Sequence, residues 1–248
     1  MADWNDTSRN AQRLGSVPRA GGDVAGRAGY DEGLRKHMLS IYNYMSSGIL
    51  LTGIVALLAF TSGVAETIFT GGALRWIVAL SPMAIVFAMS FGANRFSTGT
   101  LQLMFWAFAT LMGLSLSSVF LVYTGGSIAT TFFATAAAFA GLSLFGYTTK
   151  KNLSGMGSFL IMGVIGLLVA MVINMFLQSP AFHYAISLIG VLIFAALTAY
   201  DTQRLKNEYE YLRGTQFAGK AVVLGALSLY LDFINMFTFL LSFLGNRE

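Results

Sequence analysis

Long runs of apolar residues separated by short polar interruptions dominate the chain. A helix needs about 20 mainly apolar residues to cross the hydrocarbon layer of a bilayer. Seven runs meet that length: Leu39 to Phe60, Leu74 to Asn94, Thr100 to Tyr123, Ser127 to Tyr147, Met156 to Leu177, Ala181 to Gln203, and Ala221 to Leu244. Each is apolar on nearly every side, the pattern of a lipid-embedded helix rather than of an amphipathic helix against a soluble core. The pattern predicts an all-α, seven-helix transmembrane domain over residues 38–248, with short connections that keep it one bundle. Small residues four apart, such as Ala134 with Ala138 and Ala137 with Gly141, allow close helix packing.

Composition agrees with this reading. Hydrophobic residues make up 56% of the 248 and charged residues only 10%, against roughly 25% charged in a soluble domain. The chain has no Cys and two His, which excludes disulfides, thiolate chemistry and sulfur-built zinc sites, and no cofactor is expected. Residues 1–37 differ from the rest: they hold six basic and five acidic side chains and several glycines. Such a segment buries too little apolar surface to offset its ordering entropy, and is expected to be a flexible cytosolic tail. The net charge of +4 does not point to nucleic acid, because the basic residues sit in tails and loops between apolar runs.

Those basic residues orient the bundle. With the N-terminus inside, 13 of the 15 Lys and Arg fall on the cytoplasmic side, among them Arg35, Lys36, Arg95, Lys150, Lys151, Arg204, Lys206, Arg213 and Lys220. Arg75 and Arg247 alone fall outside. The positive-inside rule therefore predicts a cytoplasmic N-terminus and an external C-terminus.

An ionisable side chain at the middle of a span costs roughly 2.5–3.5 kcal/mol even on the insertion scale, so the few present point to function. Asp232 lies in the middle of the last run, with Ser228 and Asn235 on the same helical face. Its position suits permeation or proton relay. Asp201 closes the sixth run, just before Arg204 and Lys206. A hairpin joins the sixth and seventh runs, so the two aspartates can meet if the sixth helix extends beyond its apolar stretch. On the hydropathy boundaries their depths differ by about 15 Å at 1.5 Å per residue. Arg95 ends the second run on the side of Asp201, where it serves as a topology anchor or as that carboxylate's partner. Asn43, Gln102 and Asn174 are polar residues within spans that could face the interior. His183 and Glu66 read as interfacial.

Two stretches carry a family resemblance: Ala196-Leu197-Thr198-Ala199-Tyr200-Asp201-Thr202-Gln203-Arg204-Leu205-Lys206, and Gly225-Ala226-Leu227-Ser228-Leu229-Tyr230-Leu231-Asp232-Phe233-Ile234-Asn235. Together with Met112-Gly113-Leu114-Ser115-Leu116-Ser117-Ser118 in the third run, they resemble the transmembrane Bax-inhibitor-motif family, in its bacterial branch, over about residues 35 to 245. The resemblance implies six helices around a central seventh, and a calcium-permeable leak channel of the bacterial inner membrane. It also implies a proton shared between Asp201 and Asp232 that gates the pore with pH, and pairing of Arg95 with Asp201 in one state. Ser228 and Asn235 would line the pathway. The chain departs from some bacterial members in having Ala84 and uncharged neighbours where those carry an acid in the second helix.

The chemistry of the pair is independent of the resemblance. Two neighbouring carboxylates in a poorly solvated bundle cannot both ionise cheaply, so they titrate as a unit. Once deprotonated, they form an oxygen cluster that attracts a cation or the Arg95 guanidinium. Calcium takes six to eight oxygens, so such a site would be weak and transient, as conduction requires. No enzymatic activity is expected. An intramembrane aspartyl protease would need Gly-x-Gly-Asp where the chain has Leu229-Tyr230-Leu231-Asp232, and a retinal protein would need a lysine within the last span. A proton-coupled small-solute transporter and a regulator that binds other membrane proteins remain the alternatives.

Overall fold

The structure, a computed structural model, describes residues 20–246, with side chains from residue 29 onward. Among the described residues there are eight α-helices: α1 (Ala20–Thr61), α2 (Val64–Thr70), α3 (Leu74–Gly92), α4 (Thr98–Leu116), α5 (Gly125–Thr148), α6 (Gly157–Leu177), α7 (Pro180–Leu212) and α8 (Ala218–Leu244). Short 3-10 turns extend α4 to Leu121 and precede α6 at Ser154–Met156. All except α2 are long and apolar enough to cross a membrane, giving the seven expected spans. Among the described residues there is no strand.

The chain divides into two compact units, one ending at His37 and one beginning at Met38. The tail expected over residues 1–37 lies outside the described residues as far as residue 19; from Ala20 onward the backbone is helical. Within that stretch Glu32 and Lys36 form an i,i+4 pair at 3.4 Å, an exposed contact of small energetic weight.

In the second unit, α7 and α8 pack most extensively on each other, and α8 also packs on α5 and α4. The apolar window of α8 is 61% buried, against 11–33% in the other spans. Lipid-facing side chains on α6, such as Phe159, Met162 and Phe176, are exposed, as a bilayer would require. Tyr230 of α8 is fully buried and lies edge-on to Phe105 and Phe108 of α4 at 6.2 and 4.9 Å. Thr52 of α1 donates its hydroxyl to the Ala109 carbonyl at 2.8 Å. Its oxygen is therefore left to accept the Tyr230 hydroxyl at 2.6 Å, and one Thr ties α1, α4 and α8 together.

Helix ends follow from local chemistry. Ser97, Thr124 and Ser179 cap α4, α5 and α7 by accepting from the backbone N–H groups of Thr100, Ser127 and Phe182, and Pro180 follows its cap at a position where the missing N–H costs nothing. Inside α3, Pro82 cannot donate to the Val78 carbonyl, which in hydrocarbon would be left unsatisfied. The Ser81 hydroxyl donates to that carbonyl instead, at 3.0 Å. Gly214, at φ 75°, makes the turn between α7 and α8, where a side chain would be strained.

Two glycines set close approaches near the aspartates. A Cβ on Gly146 of α5 would collide with the backbone of Ala199, and one on Gly157 with the ring of Tyr200. Just before Asp201, the Ala199 backbone thus lies close against α5 and the Tyr200 side chain close against the start of α6.

Candidate functional site

Helix α7 continues as a polar helix well beyond Gln203, to Leu212. That extension removes the depth mismatch of the two aspartates. Counted from the α7–α8 turn, Asp201 lies 11 residues before the end of α7, while Ser228 and Asp232 lie 10 and 14 residues after the start of α8. At 1.5 Å per residue Ser228 is level with Asp201, and Asp232 stands only about 5 Å deeper.

The side chains meet accordingly. The Ser228 hydroxyl donates to Asp201 Oδ2 in a short hydrogen bond, and accepts from Arg204 Nη2 at 3.1 Å. Arg204 Nη2 is 3.4 Å from Asp201 Oδ1. Both oxygens of Asp201 are thereby engaged. Asp232 is buried within electrostatic range of both Asp201 and Arg204, and its Oδ2 has no hydrogen-bond partner. A buried polar oxygen left alone is rare and costly, and marks a place where a proton or cation would be welcome.

Two cavities flank this layer. One, about 390 Å³, lies toward the α7–α8 turn and is lined by Ser228 and Leu231 of α8, Arg204 and Glu208 of α7, and Ser90 and Asn94 after and along α3. The other, about 490 Å³, lies toward the opposite end and includes Asn235, Thr238, Ser242, His183, Ser187 and Asn174 in its wall. Asp232 falls between Leu231 and Asn235 and lines neither. The predicted neighbours Ser228 and Asn235 thus occupy different cavities. Asn235 Nδ2 donates to the Leu231 carbonyl at 2.8 Å.

Arg95 sits exposed in the turn after α3. Among the described residues the cation paired with Asp201 is Arg204, not Arg95. Asn43 is exposed, Gln102 donates to the Tyr44 hydroxyl at 2.7 Å, and Asn174 accepts from the Ser179 N–H at 3.2 Å. Asn174 lines the 490 Å³ cavity.

The match to the family model described as "Inhibitor of apoptosis-promoting Bax1" covers residues 34–248. The chain belongs to the Bax inhibitor family. Its relatives include an uncharacterized protein of Caulobacter vibrioides, 47% identical over 98% of this chain and 100% of that one. The inner membrane protein YbhL of Escherichia coli is 44% identical over 93% of this chain and 98% of its own length. A Rickettsia prowazekii protein is 43% identical over 88% and 93%.

Several residues of this Bax inhibitor family chain were not legible as site residues. Arg204 and Glu208 stand at i+3 and i+7 from Asp201, a spacing that would have signalled one helical face had the helix been known to continue. Thr202, fully buried beside Asp201, bonds Ser143 of α5 at 2.9 Å, and Ser143 bonds Tyr42 of α1 at 2.6 Å. Gln203 accepts from the Leu153 N–H and donates to the Lys151 carbonyl, each at 2.8 Å. It pins the α5–α6 connection to α7 two residues after Asp201. His183, read as interfacial, bonds Ser242 at 2.7 Å across α7 and α8. Replacing Gln203 by Leu leaves the Leu153 donor and the Lys151 acceptor without their partner. The expected loss is about 1–3 kcal/mol, measurable as a lower melting temperature in detergent and faster proteolysis between residues 149 and 156.

Proposed function

We propose that the chain is a pH-sensitive, calcium-permeable leak channel of the bacterial inner membrane, gated by a proton shared between Asp201 and Asp232. One observation carries the reading: Asp201 of α7 and Asp232 of α8 come together at the level that separates two cavities, and one of their oxygens is buried without a partner. Joining the cavities across this layer would make a continuous path. The burial of α8 supports its role as the inner helix around which the other six are arranged, and the printed name of the Escherichia coli relative supports the location.

The gate follows from charge. With one proton on the pair, Arg204 and Ser228 neutralise what remains and the layer stays shut. Loss of that proton leaves two negative charges in a poorly solvated site, and a divalent cation entering from either cavity offsets them. Calcium, as the cargo, would find two carboxylates, hydroxyls and water there, fewer anchors than the six to eight oxygens of a storage site. Weak coordination lets the ion leave as readily as it enters.

Purified protein in liposomes tests the reading through calcium and potassium entry at two pH values. Calcium entry above that of empty vesicles, rising between the lower and the higher pH, is the expected result; entry equal to empty vesicles at both would overturn it.

The orientation carries its own expectation, N-terminus cytoplasmic and C-terminus external. Single cysteines introduced into this Cys-free chain at positions 35 and 247 should be labelled by an impermeant thiol reagent from opposite sides. Labelling of position 247 from the cytoplasmic side alone would refute it.

A further inference from the structure

Arg204 is placed between two carboxylates of its own helix. Its Nη2 is 3.4 Å from Asp201 Oδ1 and its Nε is 3.5 Å from Glu208 Oε1, while its one hydrogen bond runs to Ser228. Nε is buried without a hydrogen-bond partner, and the guanidinium lies 5.9 Å from the centre of the Tyr200 ring. The group is therefore shared almost equally by distance, yet its partners differ in setting: the Asp201 side chain is 7% exposed and that of Glu208 45% exposed. A charge pair in the drier place is the stronger one, and a guanidinium with five donors in a rigid fork can turn from one carboxylate to the other without leaving the cavity.

We propose that Arg204 is the gate's own counter-cation and Glu208 its second docking carboxylate, so that the guanidinium's division between Asp201 and Glu208 sets the pH at which the gate responds. This rests on the proton-sharing gate proposed above. Both are positioning residues that act through Asp201. Held on Asp201, Arg204 stabilises its negative charge and favours release of the shared proton. Drawn to Glu208, it leaves the aspartates to repel each other, and the proton is retained to higher pH. The charged groups facing Arg204 are Asp201 and Glu208 on α7 and Asp232 and Lys220 on α8. The α3 wall of the cavity, including Val86 and Ser90, is uncharged. On α5 and α6, which also pack against α7, Tyr147 is the only titratable group, and its ring faces Lys206. Lys220 is occupied with the carbonyls of Ala93 and Asn94, at 3.1 and 3.4 Å.

The test compares Arg204→Gln, Arg204→Lys, Glu208→Gln and the Arg204→Gln/Glu208→Gln double variant, with Glu210→Gln as an exposed control. Two readouts are followed against pH: calcium entry into liposomes, and the infrared carbonyl stretch of protonated carboxylic acids in the same membranes. The midpoint should rise by about one pH unit in Arg204→Gln, the effect of removing an opposite charge at this range. It should fall in Glu208→Gln, and stay near wild type in Arg204→Lys and Glu210→Gln. In the Arg204→Gln background, Glu208→Gln should have little further effect, because Glu208 acts through the arginine. Should Arg204→Gln fail to insert, Glu208→Gln against Glu208→Asp still decides, the first lowering the midpoint and the second restoring it. Shifts of the same sign in both single variants, a Glu208→Gln effect undiminished without Arg204, or unmoved midpoints would overturn the proposal. If wild type carries no calcium, the channel reading fails on the flux, while the infrared midpoints still decide the role of Arg204.

Discussion

Replacing Asp232 by Asn is expected to abolish the pH dependence of calcium entry, not merely to weaken it. The carboxylate whose Oδ2 lacks any partner is the half of the pair with the strongest need of a proton, and an amide of the same shape removes both its charge and its titration. Asp201 then keeps Ser228 and Arg204 on its two oxygens and has no second acid with which to share a proton. Asp201→Asn should produce the same loss by a different route, since it removes the charge that repels Asp232 and frees Arg204 toward Glu208. Both variants should fold: an amide at position 201 still meets the Ser228 hydroxyl and the Arg204 guanidinium, and an amide at position 232 keeps the shape of the side chain while removing a buried charge. Flux measured against pH in liposomes checks this, with detergent melting curves as the control for folding. A wild-type pH profile in either variant would mean that the carboxylates titrate independently of the gate.

The largest effect on stability is expected at Gly146. Its Cα faces the backbone of Ala199, and an added Cβ would fall on that carbonyl rather than on a flexible side-chain tip. Main chain cannot step aside by itself, so Gly146→Val must push α5 away from α7. Overpacking of this kind costs about 1–3 kcal/mol, occasionally more, through displaced backbone and off-rotamer side chains. The displacement also lengthens the Ser143–Thr202 bond, since Ser143 lies on α5 and Thr202 next to Asp201. The expected result is a melting temperature in detergent lowered by several degrees, together with altered gating from a residue that touches neither aspartate. A similar change at Gly141, where a Cβ has open space, should be nearly silent. Equal melting temperatures for the two variants would contradict the packing argument.

The seven spans were legible because hydrocarbon imposes an apolar run of fixed length on each, and residues such as Leu74 and Leu244 mark their observed ends. The short α2 was not legible: Val64–Thr70 is only seven residues long, below the length at which periodicity separates a helix from a connection. The end of α7 was misplaced for a related reason. Hydropathy stops at Gln203, whereas the good helix formers in Arg204-Leu205-Lys206-Asn207-Glu208 carry the helix on to Leu212 in polar surroundings. That single boundary separated Asp201 from Asp232 in depth and hid Arg204 and Glu208 as members of the same face. Asp201, Asp232 and Ser228 stood out by charge or spacing within apolar sequence. The bonds from Tyr42 through Ser143 to Thr202 did not, because hydroxyl residues in a span satisfy the preceding turn of their own helix as often as a neighbour, and nothing local separates the two cases.

The central claim, that Asp201 and Asp232 act as one proton-sharing unit, is tested most directly by calcium entry against pH in wild type, Asp201→Asn, Asp232→Asn and the double variant. Residues that function as a unit are non-additive. The account predicts that each single variant loses the same pH response and that the double variant adds almost nothing to either. Two separate shifts that sum in the double variant would contradict it.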